Sequence, residues 1–183
     1  MRFYLRYEGR LRPNGSVVEK QEIRRIFHPQ LRDLWNTYPP LTGRYLDPTP
    51  PQGDVSVLRP VSNFTFAPLV CDKLKLLASL DILLLRPGTP GALVRYGGDI
   101  DNRLKTLFDA LRAPQTPKEI PPNDSPGPDE DPLICLLDDD RRIAAVNVAA
   151  EQLLAPPNPD HVRLTIRVDV RAEYRTYGNE ALV

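Results

Sequence analysis

Proline decides how this chain can be divided. Most of its 21 prolines fall in two stretches, 37–62 and 113–132. A residue with no backbone N–H and a fixed φ suits neither helix interiors nor central strands. Regular structure is therefore expected before, between and after these stretches. The first, containing PPLTGRYLDPTPPQGDVSVLRP, reads as a long surface loop of partly polyproline II character. The second, APQTPKEIPPNDSPGPDEDP, has no hydrophobic periodicity and reads as a flexible or disordered acidic insertion.

The remaining blocks carry periodic patterns. RFYLRYEGRL alternates roughly and meets turn chemistry at Pro13-Asn14-Gly15, which predicts an edge strand. From Glu19 to Asn36, Ile23, Ile26, Phe27, Leu31, Leu34 and Trp35 recur at helical spacing, with a kink or break expected at His28-Pro29. Phe64 to Val70 and Lys73 to Leu85 read as strands, the second apolar enough to be central. A helix is expected from Asp99 or Asp101, with Leu104, Leu107, Phe108 and Leu111 as its core stripe. The apolar LICLL, a strand from Ile143 to Val148 and the alternating HVRLTIRVDV at 161–170 follow. This order predicts a single α+β domain over residues 1–183, a small mixed sheet flanked by helices.

Composition narrows the function classes. With 41% apolar and 26% charged residues, and apolar runs too short for a bilayer, the chain reads as soluble, with no membrane partner. The alternating N-terminal residues do not resemble a secretory signal, so a cytoplasmic setting is expected. Cys71 and Cys135 lie far apart without a CxxC, and His28 and His161 fit no zinc spacing. The formal net charge is zero, but residues 113–140 hold eight acids against one base, a local charge of −7 that leaves +7 on the remainder. That distribution permits a phosphate-binding face.

Candidate chemistry concentrates in GGDIDNRLKTLFDAL, residues 97–111. On a helix starting near Asp101, Asp101, Lys105 and Asp109 form one row bordering the apolar stripe, with Asp99 able to bend back and Asn102 able to hold a carboxylate. In isolation this is ordinary helix design, an N-cap and charge pairs four residues apart. The triplet Asp138-Asp139-Asp140, set between two apolar strands, changes the balance, because three adjacent carboxylates repel without a cation. Were the fold to bring this triplet against the helix start, the carboxylates would make an oxygen-rich site of the kind Mg²⁺ prefers, suited to phosphodiester chemistry.

The pattern D-x-D-N-x-x-K-x-x-x-D-A-L, carried by Asp99, Asp101, Asn102, Lys105, Asp109, Ala110 and Leu111, then an acidic run and a strand, resembles the RusA family of Holliday-junction resolvases. Specific matching covers about residues 77–112 and 136–170; elsewhere the layout alone agrees. The resemblance implies a RusA-like fold and a homodimeric, Mg²⁺-dependent endonuclease, with Mn²⁺ as a substitute, that makes paired nicks at four-way DNA junctions in recombination and repair. It implies that Asp99 and Asp101 bind the metal, that Lys105 is catalytic, and that Asp140, or Asp139 one residue earlier, supplies the third acid. The family's arginine run before the first aspartate is absent, leaving RYGGD with Arg95 as the nearest base. Arg24, Arg25, Arg95, Arg103, Arg141 and Arg142 are the candidate phosphate contacts, Arg141-Arg142 foremost. A branched-DNA binding protein that keeps the fold without catalysis is the alternative.

Overall fold

The computed structural model describes residues 1–88 and 100–182. In chain order its elements are β1 (Arg2–Arg10), α1 (Val17–Thr37), β2 (Arg59–Val61), β3 (Phe64–Val70), β4 (Leu76–Arg86), α2 (Ile100–Leu111), β5 (Leu133–Leu137), β6 (Ile143–Gln152) and β7 (His161–Ala172). The strands build two small mixed sheets where one was expected. One has the order β1-β7-β4-β6 and the other β2-β3-β5. In the first, β1 and β4 pair antiparallel with β7, and β6 runs parallel to β4. In the second, β2 is antiparallel and β5 parallel to β3. With the two helices they make one α+β domain.

Period-two alternation gives the four-stranded sheet one apolar face. Leu5 and Tyr7 of β1, Leu80, Ile82 and Leu84 of β4, and Leu164, Ile166 and Val168 of β7 are all buried. They share a core with Ile23, Phe27, Leu31 and Trp35 of α1, which recur every four residues and so line one side of the helix. The opposite sheet face carries the alternate residues, including exposed Tyr4 and the chain of ion pairs Arg2–Asp169–Arg167–Asp81.

Helix α1 starts earlier than its apolar spacing indicates because Ser16 and Glu19 form a capping box, each side chain satisfying the other residue's backbone N–H. Of the kink or break expected at His28-Pro29, the break is absent: α1 runs as one helix past Pro29. Losing one backbone hydrogen bond there is offset by burying Phe27, Leu31 and Trp35 on either side.

Both proline-rich stretches are more built than expected. Within 37–62, Leu41, Tyr45 and Val57 are buried, and Arg59-Pro60-Val61 forms an edge strand, a position where proline's missing N–H costs nothing. Residues 113–132 correct the expectation of a flexible insertion, for they form a strap across α1. Arg25 Nε donates to Glu130 at 2.8 Å and its Nη2 to Asp124 at 3.0 Å. His28 accepts from the Ile134 N–H through Nδ1 at 3.0 Å, so Nε2 carries the proton and donates to the Asp129 carbonyl at 2.7 Å. Ile120 and Ala113 enter a second apolar cluster with Phe64, Phe66 and Leu133. The strap's acids thus neutralise α1's arginines, and its prolines lower the entropy cost of ordering it.

Candidate acidic site

Helix α2 carries the DxDN motif's second aspartate and is fixed separately at each end. At its start, Arg103 is buried and donates to the Leu11 carbonyl, and its Nη2 reaches Asp160 at 3.2 Å. The Pro13-Asn14-Gly15 turn docks on the same turn of helix, with the Gly15 N–H donating to Thr106 Oγ1 at 2.9 Å. This approach requires glycine: a Cβ at position 15 would stand 2.6 Å from Thr106 Cγ2. A Gly15→Ala chain should lose about 1–3 kcal/mol of stability. Thr106→Ser, which removes that methyl and keeps the hydroxyl, should recover most of the loss in the double variant, as read by urea denaturation of all four chains.

At the other end, Arg24 is buried and donates to the carbonyls of Asp109 and Arg112 at 2.9 and 3.0 Å. Asp109 is held by Lys20 at 2.8 Å and Arg112 at 2.9 Å. Burial alone would push its carboxyl up, but these two cations outweigh it and the group sits below the ordinary aspartate range. Asp101 and Lys105, expected to be half-buried beside Asp109, are both exposed. The row is therefore split, with Asp109 engaged in the structure and Asp101 and Lys105 presented on the surface.

The triplet lies beyond α2's far end. Backbone bonds tie the Ala113 N–H to the Leu137 carbonyl at 2.8 Å, and the Asp138 N–H to Val70 at 3.0 Å. Gln115 Nε2 donates to the Asp138 carbonyl at 2.6 Å. Asp138 Oδ2 accepts from the Asp72 N–H at 2.8 Å, while its buried Oδ1 has no hydrogen-bond partner among the described residues. That burial raises the carboxyl's pKa. Asp139 caps the 3₁₀ turn Asp140–Arg142 and pairs with Arg141, whose hydrogen bond holds the Asp139 carboxyl well below the usual range. Asp140 is exposed.

Two paths measure the separation within one chain. From Asp101 to Arg112 the helix rises about 16 Å, and the triplet lies past Arg112. Along the sheet, Arg103 meets Asp160 at the start of β7, whereas Arg142 meets Glu173 just past its end at 3.2 Å, and β7 spans roughly 36 Å. The expected convergence of Asp139 and Asp140 with Asp101 within a single chain is therefore corrected. The reason is that β6 runs parallel to β4, so its entry and α2's entry fall at opposite sheet ends. Among the described residues no three His, Cys, Asp or Glu side chains are grouped to hold an ion. Asp99 and Arg95 lie outside the described residues.

The cation assignments change likewise. Arg24 caps α2, Arg25 binds the strap and Arg103 clamps the 11–15 turn, so none of these is presented to DNA by its present contacts. Arg142 is shared by Asp72 and Glu173. Arg141 alone of the five described candidates is well exposed, at 86% of its side chain. Sequence reading missed Arg163 and Arg167 on the open sheet face, although the alternation of HVRLTIRVDV marks both positions as outward. Comparison with protein-family models, curated proteins and solved structures found no match. No helix among the described residues is long and apolar enough to cross a membrane.

Proposed function

We propose that this chain is a RusA-like, Mg²⁺-dependent endonuclease acting on four-way DNA junctions as a homodimer. The observation that carries the reading is the surface presentation of Asp101 and Lys105 on the first turns of a helix clamped from both ends, with Asn102 between them.

Carboxylate oxygens are the donors a hard divalent ion takes. The described residues of one chain do not bring enough of them to one point, so the reading requires a site completed by a second copy, Asp99 and Asp101 from one chain with Asp139 and Asp140 from the other. An ion bound there would polarise the phosphodiester and lower the pKa of a water. The chain's own side chains would orient the rest. Lys105, one turn beyond Asp101, offers a point charge for the phosphate oxygens, and Asn102 offers an amide to orient a carboxylate.

A branched-DNA binding protein of this fold that does not cut is the second reading, favoured by the separation of the acids within one chain. Labelled four-way junctions, forks and linear duplex, each with Mg²⁺, Mn²⁺ or EDTA, separate the two. The nuclease reading expects symmetric nicks in the four-way junction that vanish in EDTA. Junction binding without nicking in either metal would establish the second reading, and absence of both binding and nicking would overturn both.

A further inference from the structure

Charged side chains from four different segments form one alternating run beside the first turn of α2. Glu19, in the capping box of α1, accepts from the Ser16 N–H at 2.8 Å through one carboxylate oxygen and pairs with Arg12 at 3.3 Å through the other. Arg12 Nε donates to Asp160 Oδ2 at 3.3 Å, and Asp160 Oδ1 accepts from Arg103 Nη2 at 3.2 Å. Asp160 is the joint of this run. It ends the connection between β6 and β7, its carbonyl accepts from the Leu11 N–H at 3.0 Å, and its own N–H donates to Asn158 Oδ1 at 3.1 Å. Arg103 also donates to the Leu11 carbonyl. Asp160 therefore ties the turn at Leu11 and the start of α2 to the head of β7, a strand paired on both sides.

Helix geometry turns this fastening into a direction. Consecutive residues are about 100° apart, so Arg103 stands about 200° round the axis from Asp101 and again from Lys105. Drawing Arg103 inward turns both of them outward, in keeping with their exposure. We infer that Asp160 is a positioning residue, which sets the rotation of α2's first turn through Arg103 and with it the direction in which Asp101 and Lys105 are presented. Its effect on rate rests on the proposed nuclease reading, whereas its effect on the helix does not. A solvated ion pair would fix little, but the Arg103 side chain is only 7% exposed, so Asp160 and the Leu11 carbonyl hold its orientation.

Asp160→Asn removes the charge and leaves one oxygen where two served two arginines. Amide hydrogen exchange at Leu104 to Leu107 should quicken at least about tenfold, while α2's last turn, which Arg24 caps, keeps the parent's rates. For four-way junctions in Mg²⁺, kcat should fall about tenfold with KM changed less than about twofold, since a displacement of roughly 1 Å is felt on that scale or beyond it. A residue that stabilised only its own connection would quicken exchange in 153–160 and leave kcat unmoved. Arg103→Lys, which keeps the charge without the fork, should act the same way, and the double variant should be no slower than the slower single one. Unchanged exchange at Leu104 to Leu107, unchanged kcat in a parent that nicks, or losses that multiply in the double variant overturn the inference. If Asp160→Asn loses its circular dichroism, Asp160→Glu, which keeps both oxygens but moves them outward by a methylene, carries the same tests. A parent that nicks nothing removes the nuclease reading, and exchange at Leu104 to Leu107 then decides alone whether Asp160 orients α2.

Discussion

An Arg24→Leu chain is expected to lose about 3 kcal/mol of stability, since two carbonyls of α2's last turn would lose their donors and each unsatisfied buried acceptor costs roughly 1–3 kcal/mol. The helix end leaves its last carbonyls without intrahelical partners, and here one guanidinium, 2% exposed, supplies the missing N–H groups from α1. For a chain of this length the loss corresponds to a melting point lower by ~6–12 °C. Arg24→Lys keeps the charge but not the fork of donors, so it should fall between the two. Calorimetry reads the effect directly. A variant that melts normally but binds junction DNA more weakly would return Arg24 to the phosphate-contacting role that its sequence position suggested.

The Asp101→Asn chain should fold and melt as the parent does, because the residue is exposed and the change nearly isosteric. Its junction nicking in Mg²⁺ should fall at least about 100-fold, the scale on which loss of one group stabilising transition-state charge is felt. Junction affinity, which depends on phosphate neutralisation, should change little. Lys105→Met should also be slow while retaining the fold. Nicking by Asp101→Asn at the parent rate would remove the metal-dependent assignment altogether.

Much of the secondary structure was legible because it rests on local patterns. The alternation in HVRLTIRVDV gives β7, and the apolar spacing from Ile23 to Trp35 gives α1. The start of α1 was also written locally, in Ser16-Val-Val-Glu19, a signal the apolar spacing alone passes over. What the patterns could not carry was pairing over long separations. Whether β6 runs parallel or antiparallel to β4 depends on the crossover through α2 and the strap, and this direction alone sets the triplet at one sheet end or the other. The strap itself misleads for the same reason. Its acids and prolines have the composition of disorder, yet the arginines that order it, Arg25 and Arg32, stand about a hundred residues earlier. Of the candidate site, the helical spacing placed Asp101 and Lys105 half-buried in one row with Asp109, whereas the fold leaves both exposed, and no local pattern could say which chain would complete a site there.

Mixing two inactive chains tests that last point most directly. One carries Asp101→Asn; the other carries Asp139→Asn and Asp140→Asn; each alone should leave junctions uncut. If the carboxylates of two copies build each site, a mixed dimer holds one site bearing both lesions and one bearing none. The mixture should therefore recover nicking of one junction strand per dimer, while neither parent recovers any. Were each site built within a single chain, every site in the mixed dimer would carry a lesion, and a mixture as inert as its components would contradict the account.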